Sequence, residues 1–324
     1  MPEAIVVREY GAAEVLVSER VAVSDPGPGE LRIRQTAVGV NYHDVYVRSG
    51  LYKTLALPGT PGCEAAGVVD AVGEGVGDVA PGDRVAYVTP QYGAYASHRV
   101  LDAALAVPLP DGVSDVQAAS NLLRAMTVDM LVHEVCTVLP EHTVLVHAAA
   151  GGVGRLLCQW LAHRGVRVIG TVGDPVKAVL ATASGCAHTV LYREADVVEA
   201  VRDITDGAGV DIVFDSVGAD TVAASLDALA PCGHLVNFGQ SSGPVEPIAL
   251  ATLAAKSLTL SRPILFHYTA GPDRYQAMAR AALAALEQGI LTAAEARAFA
   301  LHEAADAHAL LESGHGGGAT VLVP

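Results

Sequence analysis

Positive charge is scarce in this chain: 20 lysines and arginines stand against 35 aspartates and glutamates in 324 residues, a formal charge of −15. A surface of that sign repels a phosphate backbone, which argues against a nucleic-acid partner while leaving room for one local basic pocket. Long apolar runs are missing as well. Even the alanine-rich stretch from Ala277 to Leu286 is interrupted by Arg280, so no segment suits a membrane span. The opening Met1-Pro2-Glu3-Ala4 has neither a basic nor an apolar leader character, and no secretory signal is expected. Cysteine is sparse and odd in number: Cys63, Cys136, Cys158, Cys186 and Cys232. Without a CxxC pair or a disulfide pattern, these read as small buried hydrophobes in a reducing cytoplasm. His43, His133, His147 and His163 show no paired metal-ligand spacing and read as ordinary polar residues. No nucleophile elbow of the hydrolase kind occurs.

What is present is a globular composition, 51% hydrophobic and 17% charged, in a chain long enough for two domains. Up to about Arg124, short β-like runs (Glu3–Arg8, Glu30–Gly39, Glu64–Val72, Asp83–Val88) are broken by Gly and Pro clusters, the pattern of a β-barrel or sandwich. From about Thr143, apolar runs alternate with helical patterns. The runs Thr143–His147, Val166–Gly170, His188–Leu191, Val210–Phe214, His234–Phe238 and Leu258–Arg262 predict parallel strands buried on both faces. Between the first two, Val153, Leu156, Leu157, Trp160 and Leu161 recur at helical spacing. The fold class is therefore α/β, with a doubly wound parallel sheet. Past Leu265 the chain reads as helical until a strand-like Thr320–Val323, a tail expected to pack on the N-terminal domain. The domain reading is 1–124 completed by 265–324, with 125–264 as the dinucleotide domain.

The strongest local signal is Val144-Leu145-Val146-His147-Ala148-Ala149-Ala150-Gly151-Gly152-Val153-Gly154. Ala149, Gly151 and Gly154 fill the three small-residue positions of a dinucleotide fingerprint, where side chains would block the tight turn, the pyrophosphate and the helix–strand contact. Gly152 and Val153 would open a helix whose free N–H groups and positive end meet the pyrophosphate. A lone glycine-rich loop is weak, but this one follows a strand pattern and opens a helix pattern. After the second strand the chain reads Gly170-Thr171-Val172-Gly173-Asp174-Pro175-Val176-Lys177, with no carboxylate at the expected terminus. Lys177 as a point charge and the Tyr192 hydroxyl would favour a 2′-phosphate, so NADPH (NADP+) is predicted over NADH. Asp174 before Pro175 looks like an N-cap whose charge opposes that preference.

The run Asn41-Tyr42-His43-Asp44-Val45-Tyr46-Val47-Arg48-Ser49-Gly50-Leu51-Tyr52 resembles the Asn-x-x-Asp-x-Tyr-x-Arg-x-Gly-x-Tyr signature of zinc-free NADPH:quinone oxidoreductases, the ζ-crystallin-like branch of the medium-chain dehydrogenases/reductases. Gly62–Gly67, Pro81–Val85, Ala148–Gly154, Gly170–Val172, Tyr192–Glu194, Asp215–Gly218, Phe238–Gly243, Arg262-Pro263 and Val321–Pro324 continue the resemblance in order along the whole chain. It implies a GroES-like β-rich catalytic domain plus a Rossmann domain. By motif position it implies a cofactor lined by Asn41, Tyr46, Thr127, Gly173, Lys177, Tyr192, Ser216 and the Phe238–Gly239 backbone. It also implies a homodimer joined edge to edge through Leu258–Arg262. Three departures stand out: Gln240 in place of a common Asn, Arg124 in place of a common Lys, and a Gly314–Gly318 run lacking an expected Arg, with His315 as a substitute.

Zinc relatives in the superfamily resemble one another in ligands that this chain lacks; Cys63 and Glu64 alone do not complete a tetrahedral site. Without a metal, hydrogen bonds must stabilise the reduced acceptor. Tyr46 and Tyr52 are the donors expected beside Asn41, which positions the ribose or nicotinamide. Packing roles compete with the chemical ones for both tyrosines, and Arg48 and Arg262 read as structural or solvated. Quinone reduction is the leading expectation. Reduction of an enone or enoyl double bond, and a cofactor-binding structural or nucleic-acid-interacting protein with little turnover, are the alternatives.

Overall fold

The structure is a computed structural model describing residues 1–314 and 318–324; His315 lies outside the described residues. The chain packs as two units. The first comprises Met1–Met126, Thr269–Gly289 and Ala293–Pro324, and the second comprises Thr127–Tyr268 and Ile290–Thr292.

In chain order the first unit begins with β1 (Glu3–Val6), β2 (Val17–Arg20), β3 (Glu30–Gly39), α1 (Tyr42–Ser49), β4 (Glu64–Val72), β5 (Arg84–Val88), β6 (His98–Asp102), β7 (Val107–Pro108) and α2 (Asp115–Asp129), whose residues from Thr127 on belong to the second unit. The second follows as β8 (Thr143–Val146), α3 (Gly152–His163), β9 (Arg167–Val172), α4 (Pro175–Ala183), β10 (His188–Leu191), α5 (Val197–Ile204), β11 (Val210–Asp215), α6 (Val222–Ala228), β12 (Leu229–Asn237), α7 (Leu250–Ala254), β13 (Thr259–Ser261) and α8 (Leu265–Tyr268). The chain then returns to the first unit with α9 (Pro272–Glu287), β14 (Ala296–Ala300), α10 (Ala304–Glu312) and β15 (Ala319–Val323).

The first unit is built on a sheet of order β14-β15-β3-β4-β5-β7, with β6 also paired to β3. Strand β3 shows why it forms: Leu31, Ile33, Gln35 and Ala37 are buried and alternate with outward Arg32, Arg34 and Thr36. The core gathers Ile5, Leu31, Ile33, Val85, Tyr87, Tyr95 and Leu322. The tail closes onto β3, with Val321 opposite Gly39 and Leu322 opposite Val38. Helix α1 starts where the Asp44 carboxylate takes the Asn41 backbone N–H at 2.8 Å and ends at Gly50, whose φ of 83° suits a residue without Cβ.

The second unit is a six-stranded sheet of order β10-β9-β8-β11-β12-β13, parallel at every pairing. Its core joins Leu145, Ile169, Val190, Val201, Val213, Leu226 and Leu235. On α3 the expected stripe is buried at Leu156, Leu157 and Leu161, while Val153 and Trp160 stay half-buried. The order reverses direction at β8, so the carboxyl ends of β8, β9 and β11 border the crevice where this topology takes a ligand.

Strands β2, β6, β7 and β14 have no counterpart in the sequence reading. Each is short; β2, β6 and β14 carry polar residues on their runs, and β7 is only Val107-Pro108; partner strands, not propensity, hold them extended. Strand β12 starts five residues ahead of the expected His234, at Leu229, across a register shift opposite Val210/Ile212. That stretch corrects one cysteine: Cys232 is exposed, at φ 64°. Cys63, Cys158 and Cys186 are buried, and the last two place their sulfurs 3.4 Å apart.

Candidate active site and cofactor pocket

The glycine-rich loop follows β8. Ala148 adopts φ 51°, the Gly151 N–H returns to the Ala148 carbonyl at 2.8 Å, and the Ala149 N–H reaches the Thr171 carbonyl at 3.1 Å. A Cβ on Gly154 would stand 2.3 Å from the Ala148 oxygen, and one on Gly151 3.0 Å from the same atom. A Cβ on Gly170 would meet the Ala149 Cβ and the Cys186 sulfur at 2.7 Å each. These contacts press loop, α3 and β9 together as the fingerprint requires. Gly151 is the N-cap of α3 and offers no capping side chain, so the first-turn amides at Gly152, Val153 and Gly154 have no partner within the helix. They form a built-in anion cradle at the positive helix end.

The next two strand ends lie beside it. The Phe238 N–H bonds to the Asp215 carbonyl at 2.8 Å and the Ser241 N–H to the Ser216 carbonyl at 3.3 Å. A Cβ on Gly239 would stand 2.6 Å from the Ser216 oxygen. Ser216, Phe238 and Gly239 are therefore brought together at the carboxyl edge of β11 and β12. Thr127 lies half-buried in the last turn of α2. Arg262 donates to the Asn237 carbonyl at 3.3 Å.

At the end of β9, Asp174 caps α4: its Oδ1 accepts the Lys177 N–H at 2.9 Å, and Pro175 takes the first helical position. Its Oδ2 sits 3.5 Å from the Lys177 ammonium. A Cβ on Gly173 would fall 2.8 Å from the Tyr192 hydroxyl, and Tyr192 itself is 50% exposed. Gly173, Lys177 and Tyr192 thus share one corner. The strand runs to Val172, two residues beyond the expected Gly170, and this moves Asp174 close to the strand terminus.

Sequence reasoning missed the network that stiffens this edge. Asp215 accepts the Val217 N–H at 2.8 Å, the Gly218 N–H at 3.1 Å, the Thr221 hydroxyl at 2.8 Å and the Ser225 hydroxyl at 3.2 Å. With its proton given to Asp215, Ser225 accepts from His147 Nε2 at 3.0 Å. His147 Nδ1 then accepts from the Thr171 hydroxyl at 2.9 Å. Burial lowers the His147 pKa, which keeps the ring neutral for this tautomer. The Asp-Ser-Val-Gly turn was a legible signal for Asp215; nothing local announced His147.

In the first unit, Asn41 is buried and its amide is engaged at both ends. Its Nδ2 donates to Glu64 Oε1 at 2.6 Å, and its Oδ1 accepts from Arg124 Nε at 3.3 Å. Glu64 Oε2 takes the Leu123 N–H at 2.8 Å, and Arg124 also donates to the Val40 carbonyl at 3.2 Å. A Cβ on Gly39 would stand 2.5 Å from Glu64 Oε1. Burial pushes Glu64 up to about 7 against hydrogen bonds from Asn41 and Leu123. It pushes Asp44 up to about 7 against bonds from Asn41 and Tyr95.

Asp44 yields a stability prediction. Its folded pKa lies above its unfolded value of 3.8, so its contribution is complete below that value and is lost as pH rises through about 7. Asp44→Asn removes the titration while keeping an oxygen for Asn41 and Tyr95. Relative to wild type, its urea midpoint is expected to improve between pH 4 and pH 8 by the equivalent of roughly a few kcal/mol, whatever the offset at the acid end. A constant difference across that range would remove Asp44 as the source.

Tyr46 lies on α1 with its ring centroid 5.0 Å from Tyr52 and 5.4 Å from Tyr42. His43 packs 5.7 Å from Tyr52 and stacks 5.9 Å from Tyr92. Burial drops His43 to about 4, so it is neutral at pH 7 and shares a 3.2 Å hydrogen bond with the Tyr92 hydroxyl. Tyr46 and Tyr52 are therefore neighbours inside an aromatic cluster whose members His43 and Tyr92 were not among the expected site residues, while Asn41, at the start of the same helix, is held by Glu64 and Arg124. Burial raises the Cys63 thiol well above its usual range, which suits neither nucleophile nor ligand. Arg48 is not solvated: it is 2% exposed and pairs with Glu312 through two hydrogen bonds, at 2.8 and 3.0 Å. Among the described residues no cluster of three or more His, Cys, Asp or Glu side chains is arranged to hold a metal, and no helix is long and apolar enough to cross a membrane.

Two family models match: "Alcohol dehydrogenase GroES-like domain" over residues 27–111 and "Zinc-binding dehydrogenase" over residues 152–284. A quinone oxidoreductase of Pseudomonas aeruginosa is 43% identical, with all of both chains covered. A 2-haloacrylate reductase of a Burkholderia species is 40% identical over all of this chain and 99% of its own. The crystal structure of an Escherichia coli quinone oxidoreductase complexed with NADPH superposes with a TM-score of 0.96 at 38% identity, covering 99% of this chain and all of the other.

Proposed function

This chain belongs to the quinone oxidoreductase family of medium-chain dehydrogenases/reductases, and we propose on that premise that it reduces quinones with NADPH and without a metal. The observation that supports the reading is the Ala148–Gly154 loop, which admits no extra Cβ at Gly154 and opens α3 at Gly151 with no capping side chain, an arrangement suited to a diphosphate. NADPH supplies the hydride when bound. Ala149, Gly151, Gly152, Val153 and Gly154 hold the diphosphate, and Gly173, Lys177 and Tyr192 receive the 2′-phosphate. Thr127, Ser216, Phe238 and Gly239 complete the cofactor contacts. Asn41, its amide orientation set by Glu64 and Arg124, uses its remaining N–H to position the ribose or nicotinamide. Tyr46 and Tyr52 donate hydrogen bonds to the oxygen that gains negative charge, a stabilisation that a quinone needs only in part because conjugation spreads the charge.

Tyr46→Phe is expected to lower turnover with a benzoquinone about tenfold or more while leaving NADPH affinity within about twofold. Unchanged turnover would leave Tyr46 a packing residue. A second reading is supported by the 2-haloacrylate reductase relative: an activated alkene as acceptor. Steady-state oxidation of NADPH against a series of benzoquinones, 2-haloacrylates and enones separates the two. Oxidation with alkenes alone would overturn quinone reduction, and binding without oxidation by any acceptor would point to a structural or nucleic-acid-interacting protein.

We further propose a cytoplasmic homodimer. The unpaired thiols fit a reducing compartment. Strand β13 lies at the edge of its sheet with Leu260 37% exposed, an edge suited to a second copy. A solution mass of one 33.2 kDa chain would refute the dimer.

A further inference from the structure

At the adenosine corner of the second unit an acid and a base oppose each other. Asp174 stands 20 residues after Gly154 (174 − 154), the spacing at which this fold places a carboxylate to accept the ribose 2′-hydroxyl. It follows the last residue of β9, Val172, by two positions. Its Oδ1 is fixed by the Lys177 N–H at 2.9 Å, so the carboxylate cannot swing away without uncapping α4. The remaining oxygen, Oδ2, lies 3.5 Å from the Lys177 ammonium, and the two side chains are 39% and 33% exposed. Both are therefore open to a ligand from solvent. Lys177 rides on a four-carbon stem and can move; Asp174 cannot. The Lys177 N–H holds the Asp174 carboxyl below its ordinary range, so its charge is present at neutral pH.

We propose that Asp174 is a specificity-determining residue that opens this pocket to NADH as well as NADPH. With NADH, Oδ2 accepts the ribose 2′-hydroxyl. With NADPH, Lys177 leaves the carboxylate for the 2′-phosphate while the fixed negative charge of Asp174 opposes that phosphate. Selectivity for NADPH is thereby held to a modest ratio. The inference rests on the reading above that the chain binds a nicotinamide dinucleotide.

The test is titration of NADPH and NADH against wild type, Asp174→Asn and Lys177→Ala at one fixed ionic strength. Asparagine caps a helix as well as aspartate does, and an unchanged thermal midpoint certifies the fold; Asp174→Ser, with a hydroxyl cap, replaces it if the midpoint falls. Wild type is expected to favour NADPH by no more than about tenfold. In Asp174→Asn, NADPH should tighten and NADH weaken, moving the affinity ratio toward NADPH by about tenfold. Lys177→Ala should weaken NADPH alone. A wild-type ratio above about a hundredfold, or an Asp174→Asn ratio that moves less than about twofold or toward NADH, overturns the proposal while leaving the family reading intact. Wild type that binds neither dinucleotide brings both down.

Discussion

Gly154→Ala is expected to weaken NADPH binding by about a hundredfold or more. The added Cβ would lie 2.3 Å from the Ala148 carbonyl oxygen, 3.0 Å from its carbon and 3.0 Å from the Ala149 Cα. All three are backbone atoms, so no side-chain rotation relieves the overlap, and overpacking of this kind costs about 1–3 kcal/mol on its own. Ala148 already sits at φ 51°, which leaves the turn little room to yield. The loop must therefore lift from α3, and the amides that meet the diphosphate lose their common aim. Gly77→Ala is the control, since a Cβ there meets nothing within 4 Å. Cofactor fluorescence titration and thermal shift measure both variants. An affinity for Gly154→Ala within about threefold of wild type would remove this loop as the diphosphate site.

Glu312→Ala should destabilise the first unit by about 3 kcal/mol. Arg48 is 2% exposed and holds Glu312 through Nη1 and Nη2 at 3.0 and 2.8 Å, while its Nε has no hydrogen-bond partner. Removing the carboxylate leaves a buried guanidinium uncompensated, the expensive way to break such a pair. Arg48→Met is the milder change: the carboxylate left behind is 36% exposed and can hydrate, and methionine retains the packing of the stem. The double variant should recover most of the loss, because the cost lies in the orphaned charge and not in the missing attraction. Urea denaturation reads all three. Should Glu312→Ala cost less than Arg48→Met, the pair is not what holds α1 to α10.

The two predictions differ in how readable their contacts were. Gly154 belongs to a local pattern: strand, small residues, helix. Arg48 and Glu312 are separated by 264 positions, and no spacing rule joins them. Arg48 read as structural or solvated, and only burial decides between those. The same divide runs through the first unit. Asn41, Tyr46 and Tyr52 fall on one short signature, but the engagement of the Asn41 amide by Glu64 and Arg124 depends on β4 and α2 converging on the start of α1. His43 and Tyr92 stack because separate segments fold together.

By itself, then, the sequence determined the parallel strands of the second unit, the turn after β8, the cap of α4 and the family, since each depends on residues within one turn, one strand or one ordered series of motifs. Tertiary structure alone decided the weak strands β2, β6, β7 and β14, the exposure of Cys232, the His147–Asp215 network and the buried carboxyls at Asp44 and Glu64. The reason is physical: a hydrogen-bond partner, a burial depth or a desolvated charge is a property of neighbours brought together by folding. A short polar run acquires its conformation from the strand beside it.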